Sequence, residues 1–396
     1  MAPFPDEFDP DALLAAARAV DGLDDFGVEP FREPLGVLLA AYAEAPLHRV
    51  GAAILRSSVV RSLATRLRLE HWFAARLEIA RERIEAPLVV VGMMRSGTTL
   101  VQRLLASDPR HLSTLGWEVL TPAPPPGADP ANPADTRERV ATAEARDRAG
   151  AAFSPEVFAI HPSYADEAEE EIVFLADAFL SHVPEASCDV PRYRAWLDAQ
   201  DFAPAYRHLR RTLQLLQWQK RLRGERPGRW VLKTPAHLGY LDLLFATFPD
   251  ATVIHMHRDP VATIASGASL NRALWRMVSD DVDAKRVGAQ WLERMAWTNG
   301  RALAYRREAR DARFVDVGFR EAVADPLATV ARIYDATDLA FGSEARAAME
   351  AWLARDARRK RPSHRYAPET FGLDADRIRT AFADYVARFV APRDAA

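Results

Sequence analysis

Four charged side chains in this sequence stand where chemistry on an anionic ligand needs them. Arg95, Glu118, Lys233 and Arg258 each come just after a short apolar run of the kind that forms a buried strand. In a parallel sheet, ligands gather beyond the carboxyl ends of the strands, so the four belong at one mouth. The sharpest of these stretches is PLVVVGMMRSGTTLVQRLLASDP, Pro87 to Pro109. Gly92 and Gly97 bracket a tight loop, Thr98 and Thr99 follow, and Leu100, Val101, Leu104 and Leu105 recur at helical spacing. Strand, glycine loop and helix start together present successive backbone N–H groups to a phosphate. In the nucleoside-triphosphate version of this loop a lysine follows the second glycine. Here Thr98 does, and the cation, Arg95, sits inside the loop. That argues against an ATPase or GTPase. Lys233, ending the run RWVLK, must offset the cost of its desolvation, and a polyanionic ligand would do so.

The loop resembles the 5′-phosphosulfate loop of the sulfotransferases that use 3′-phosphoadenosine 5′-phosphosulfate (PAPS). Its R-S-G-T-T is that of the bacterial and Golgi-type branch, where the cytosolic branch has K-S-G-T-T. Further matching segments extend the resemblance over roughly residues 87 to 390. It implies that Arg95, Ser96, Gly97, Thr98 and Thr99 hold the 5′-phosphosulfate, and that Lys233 in WVLKTPAHL assists the leaving group. In HMHRDPVATIAS it assigns Arg258 and Ser266 to the 3′-phosphate. Many members carry a basic residue four positions after that serine; Leu270 stands there, with Asn271 or Arg272 as substitutes. The stretch VDVGFREAVADP matches loosely at Asp316, Phe319 and Asp325, and is expected to pack the fold. The stretch RRKRPSHRYAPETFGL implies a basic loop over the nucleotide, with Arg361 and Tyr366 as the expected contacts and Lys360 and His364 as alternatives.

The base that activates the acceptor has more than one candidate. In the R-S-G-T-T branch it is a glutamate about two dozen residues after the loop arginine, and Glu118 lies 23 residues after Arg95. Trp117 beside it would shield it and raise its pKa. His161 and His182 are the alternatives. The acids of HPSYADEAEEE, which His161 opens, read either as a wall of the acceptor pocket or as the first turn of a helix. The resemblance therefore implies an enzyme that moves a sulfuryl group from PAPS, leaving PAP, to a hydroxylated small-molecule acceptor without a metal. A metal-dependent kinase would need a magnesium-binding aspartate on a neighbouring strand, where this chain has Lys233 and His257. A non-catalytic nucleotide binder could dispense with Glu118 and Lys233.

The elements that must position these residues follow from alternation. Residues 11 to 85 read as helices, expected to form a cap on the core, with a wall of the substrate pocket as the other reading. Strands then alternate with helices, which predicts a parallel sheet with right-handed crossovers. The expected architecture is α/β: a P-loop-like central parallel sheet flanked by helices. It comprises an N-terminal helical region (1–86) and a main domain (87–396) with an inserted helical lid (136–226). Within that lid, Thr136 to Gly150, Glu167 to His182 and Asp201 to Arg223 read as helical. A balance of 52 basic against 55 acidic residues gives no electrostatic footprint for nucleic acid. One cysteine, Cys188, excludes an intramolecular disulfide and a cysteine-based zinc site. No apolar run approaches the ~18 residues of a membrane span, and MAPFPDEFDP is unlike a signal peptide. The expectation is a soluble, cytoplasmic protein.

Overall fold

The computed structural model describes residues 4–28, 30–309, 312–359 and 366–391. Helices α1 (Pro10–Asp21), α2 (Arg32–Glu44) and α3 (Arg49–Ala75) come first. Asp9 caps α1 by accepting from Ala12 N, and Gly22 closes it in the left-handed region at φ 69°. Strand β1 (Leu88–Gly92), α4 (Thr98–Ser107) and β2 (His111–Ser113) follow, then the short α5 (Gly116–Leu120). The long connection to the next strand holds α6 (Pro133–Phe153), α7 (Pro155–Ile160), α8 (Ile172–Ala176), α9 (Val183–Ser187), α10 (Pro191–Leu197) and α11 (Ala203–Leu222).

The α/β pattern then resumes with β3 (Arg229–Lys233), α12 (Leu241–Thr247), β4 (Thr252–His257), α13 (Pro260–Arg276), α14 (Ala284–Glu308) and β5 (Arg313–Gly318). Helices α15 (Phe319–Ala324), α16 (Pro326–Asp335), α17 (Ser343–Ala357) and α18 (Ala375–Ala381) follow the last strand.

All five strands are parallel, in the order β2-β3-β1-β4-β5. Each predicted strand is present. Strand β1 is central and buried on both faces. Val89 and Val91 enter the core shared with α1–α3 and α11, and Leu88 and Val90 enter the core under α4, α16 and α17. Each such side chain contributes about 1.5–3 kcal/mol by leaving water. The N-terminal helices thus share a continuous core with the sheet. Val90 pairs with Lys233 and Gly92 with Met256, so the glycine loop, Lys233 and Arg258 leave the sheet at one edge. The order reverses at β1, which puts a crevice at its carboxyl end.

Two expectations for the inserted region fail. Helix α11 is no lid: Leu209, Leu213 and Leu216 are fully buried against the sheet. Residues 167–182 are not one helix either. They run as an extended stretch into the short α8, with Ala168 bridged to Leu115 and Phe179 at a positive φ of 59°. Their acids find partners in the sheet, and those contacts outweigh local helix preference.

Candidate active site

The loop after β1 is shaped by two glycines. A Cβ on Gly92 would lie 2.6 Å from Ser96 Oγ and 2.8 Å from the Met256 carbonyl. Gly97 has φ 89°, and a Cβ there would meet Phe319 Cδ2 at 3.1 Å. Between them Arg95 holds φ 69°, a conformation that costs a side chain about 1–3 kcal/mol and clusters at functional sites. Gly97 leaves α4 without a side-chain cap, so the first N–H groups of that helix face the crevice. Ser96 Oγ is buried and has no hydrogen-bond partner. An open helix start, an orphaned hydroxyl and a loop arginine suit an anionic group such as a phosphosulfate. Arg95 Nη1 donates to the Ile160 carbonyl at 2.8 Å.

Lys233, at the end of β3, is 1% exposed. Its Nζ donates to Glu170 Oε1 at 2.5 Å, and His161 Nε2 lies 3.6 Å from the same oxygen. Burial pushes the Glu170 carboxyl up. The charge of Lys233 and the hydrogen bond and charge of His161 outweigh it and hold the pKa at about 2. Burial lowers the pKa of His161, but the Glu170 hydrogen bond and the charges of Glu169 and Glu170 bring it above its ordinary value. Among these groups, then, the carboxylate is the acceptor and the imidazole is biased toward its cation.

Glu170 is held in place by its neighbours. Glu169 N donates to the Thr114 carbonyl at 2.8 Å, and the Glu169 carbonyl accepts from Thr114 Oγ1 at 2.6 Å and Gln102 Nε2 at 3.1 Å. Glu171 accepts from Lys233 N at 2.9 Å and meets His237 Nε2 at 2.9 Å, while His237 Nδ1 meets the Tyr206 hydroxyl at 2.7 Å.

Arg258, beyond β4, donates from Nη1 to the Arg95 carbonyl at 2.6 Å and lies 3.8 Å over the Phe319 ring. Burial lowers the pKa of both arginines. Ser266 is buried two turns into α13, and the Tyr366 hydroxyl donates to the Ala262 carbonyl on the same helix at 3.3 Å. Lys360, Arg361 and His364 lie outside the described residues.

Glu118 is not at this mouth. It is fully buried, 2.9 Å from Lys220 Nζ and 2.8 Å from Arg223 Nη2, and it accepts from Leu115 N at 3.1 Å at the start of its own helix. Burial pushes its carboxyl up, but Lys220 and Arg223 pull it below the ordinary value, opposite to the expected shift. The reason is topological: β2 is the outer strand, two places from β1, and Glu118 in the helix after it meets Lys220 and Arg223 at the end of α11. His182 borders the site with both nitrogens engaged, by Glu185 at 2.7 Å and the Tyr240 hydroxyl at 2.8 Å. Glu170 is the candidate functional group that reading from the sequence missed. Its signal is the acid run after His161, which by itself reads as pocket wall or helix start alike.

Arg95, Thr98, Thr99, His161, Glu170 and Arg258 all line one cavity of about 910 Å³, whose other walls come from α3, α6, α7, α8, α13 and α14. Among the described residues His161, Glu169 and Glu170 could also meet a metal ion, but the Lys233 ammonium already lies against Glu170. His255, His257 and Asp316 form a second such group, in which Arg306 bonds both Asp316 and His255.

A family model described as "Sulfotransferase family" matches residues 87–343. The crystal structure of sulfotransferase STF1 from Mycobacterium tuberculosis H37Rv superposes with a TM-score of 0.81 at 34% identity, over 94% of this chain and 98% of that one. That of sulfotransferase STF9 from Mycobacterium avium gives 0.84 at 27% identity, over 96% of each. The omega-hydroxy-beta-dihydromenaquinone-9 sulfotransferase Stf3, of Mycobacterium bovis and Mycobacterium tuberculosis, is 26% identical over 63% of this chain. The match spans 62% of the length of that curated relative.

Proposed function

The chain belongs to the sulfotransferase family, and from that premise we propose that it is a cytoplasmic, PAPS-dependent enzyme that sulfates a hydroxyl of a small molecule. The observation that carries this is the Glu170–Lys233 contact of 2.5 Å beside the loop of Arg95. PAPS, when bound, supplies the activated sulfuryl group. The N–H groups of residues 96 to 99 and Arg95 would hold its 5′ end, with Ser96 Oγ gaining the partner it lacks. Arg258, Ser266 and the Tyr366 segment would hold the 3′-phosphate. Glu170 Oε1 takes the proton of the acceptor hydroxyl as that oxygen gains its bond to sulfur. Lys233 Nζ stabilises the phosphate oxygen released when the old bond to sulfur breaks. Their shared hydrogen bond keeps the acceptor of one proton next to the cation that meets the developing negative charge. Cys188, the one cysteine of the sequence, is buried, and burial pushes its thiol up to about 12.

Calorimetric titration tests the reading. PAP should bind equally well with and without EDTA, and ATP much more weakly. Tight, magnesium-dependent ATP binding would instead favour a kinase.

Arg258→Ala should weaken PAP binding by about 1.5–3 kcal/mol, the worth of a charge-assisted hydrogen bond. Adenosine 5′-phosphosulfate, which lacks the 3′-phosphate, should lose much less. Equal losses for the two ligands would mean that Arg258 acts only through its bond to the Arg95 carbonyl.

A further inference from the structure

Away from Glu170 and Lys233, the cavity carries a second concentration of charge. Arg61 on α3 and Arg146 on α6 both line it. Arg146 forms no hydrogen bond or ion pair among the described residues, and Arg61 reaches only Ser58 Oγ, at a long 3.5 Å in its own helix. The pair are electrostatic neighbours: the Arg146 pKa is lowered by its surroundings and then by the charge of Arg61, with Asp147 opposing.

Their carboxylate neighbours act on them through charge and not through an ion pair, Asp147 on Arg146 and Asp177 on Arg61. Asp147 accepts from Ser163 Oγ at 3.3 Å, and Asp177 accepts from Ser62 Oγ at 2.6 Å. Burial pushes both carboxyls up, Asp177 to about 6, against the opposing charges of Arg146 on Asp147 and Arg61 on Asp177. Neither makes an ion pair with Arg61 or Arg146. The contrast is Arg294, another cavity arginine, which is satisfied by Glu185 and by Asp198 at 2.6 Å each. The same cavity is also lined by the apolar Val157 and Phe158 from α7 and Ile172 and Val173 from α8, alongside the polar Ser163 and Glu169. Phe158 is three residues from His161 and Ile172 is two from Glu170, so these apolar side chains adjoin Glu170 and His161 along the chain.

We propose that the acceptor is an amphipathic anion. Its hydroxyl meets Glu170, its apolar chain lies along α7 and α8, and a carboxylate or phosphate monoester at its other end is held by Arg61 and Arg146. The proposal rests on the sulfotransferase reading. Neighbouring guanidinium groups that form no ion pair are suited to a planar or tetrahedral oxyanion, and apolar lining favours an alkyl chain over a sugar.

The test uses the full chain loaded with PAP. Binding of ω-hydroxypalmitate, the corresponding ω-hydroxyalkyl phosphate and methyl ω-hydroxypalmitate is measured by calorimetry, and sulfate transfer from PAPS to each is followed in parallel. At least one of the two anions should bind about tenfold or more tightly than the ester; which one does identifies the head group. The double variant Arg61→Gln with Arg146→Gln should lose that preference, while its undiminished affinity for PAP shows that it is folded. Equal binding of anions and ester, no binding of any of them, or a preference that survives in the double variant would overturn the proposal alone. Failure of the unaltered chain to bind PAP would overturn the sulfotransferase reading, and the proposal with it.

Discussion

Glu170→Gln should lower kcat by about 10²–10⁴, the loss expected when a positioned general base is removed, with PAP affinity close to wild type. The amide keeps the shape of the side chain and can still accept from Lys233, whose Nζ lies 2.5 Å from Oε1 in the wild-type chain. What disappears is the capacity to take a proton. With its pKa held at about 2, Glu170 is ionised throughout the neutral range, so it gives no acid limb to the pH–rate profile there. His161 would behave differently. Its pKa is raised, so a histidine base would lose activity as the pH falls toward and below that value. His161→Asn is therefore the comparison. Normal turnover in Glu170→Gln beside abolished turnover in His161→Asn would transfer the role of base to the histidine.

Glu118→Gln should destabilise the fold by about 3–5 kcal/mol and leave kcat within about threefold of wild type. Removing the carboxylate leaves Lys220, 3% exposed, and Arg223 with Glu225 alone as counter-charge, at 3.4 and 2.8 Å. Breaking a buried pair costs this much because the remaining charge stays buried. The pH dependence has a definite sign. The Glu118 pKa is depressed in the folded state, so its contribution is complete above the unfolded carboxylate value, about 4.3, and is lost as the pH falls through the folded value. Denaturation curves of the two proteins should differ most near neutral pH and converge in acid. A variant of wild-type stability with abolished turnover would restore Glu118 as the base.

The contrast between these two glutamates shows what could be read from the chain. Strands, the glycine loop, Lys233 and Arg258 were legible because each is a local pattern: an apolar run, a turn, then a polar residue at the same sheet edge. Spacing from Arg95 pointed to Glu118, but a count along the chain does not say which strand is outermost, and β2 is. Glu170 could not be singled out within the run from Asp166 to Glu171, because six residues of acid-rich sequence have the composition of a helix start. What selects it is Lys233, distant in sequence, together with the latching of Glu169 and Glu171 to Thr114 and to the end of β3. The same limit hid α11, whose apolar stripe shows that it packs without saying against what.

The two walls of the cavity are built to different standards of permanence. The acid segment is fastened to the sheet by backbone hydrogen bonds, and Glu167 beside it gathers Trp352 Nε1 at 2.9 Å, Arg359 at 2.8 Å and Arg355 at 3.2 Å. Helix α6, facing it with Arg146, runs from Pro133 to Phe153 yet buries only Arg139 and Ala143. Substitutions along the exposed length of α6 should disturb little of the core, whereas those near Glu170 should disturb the proposed chemistry. Such a division lets a lineage exchange one acceptor for another without rebuilding the catalyst, and it marks α6 as the place to begin redesigning what the enzyme accepts.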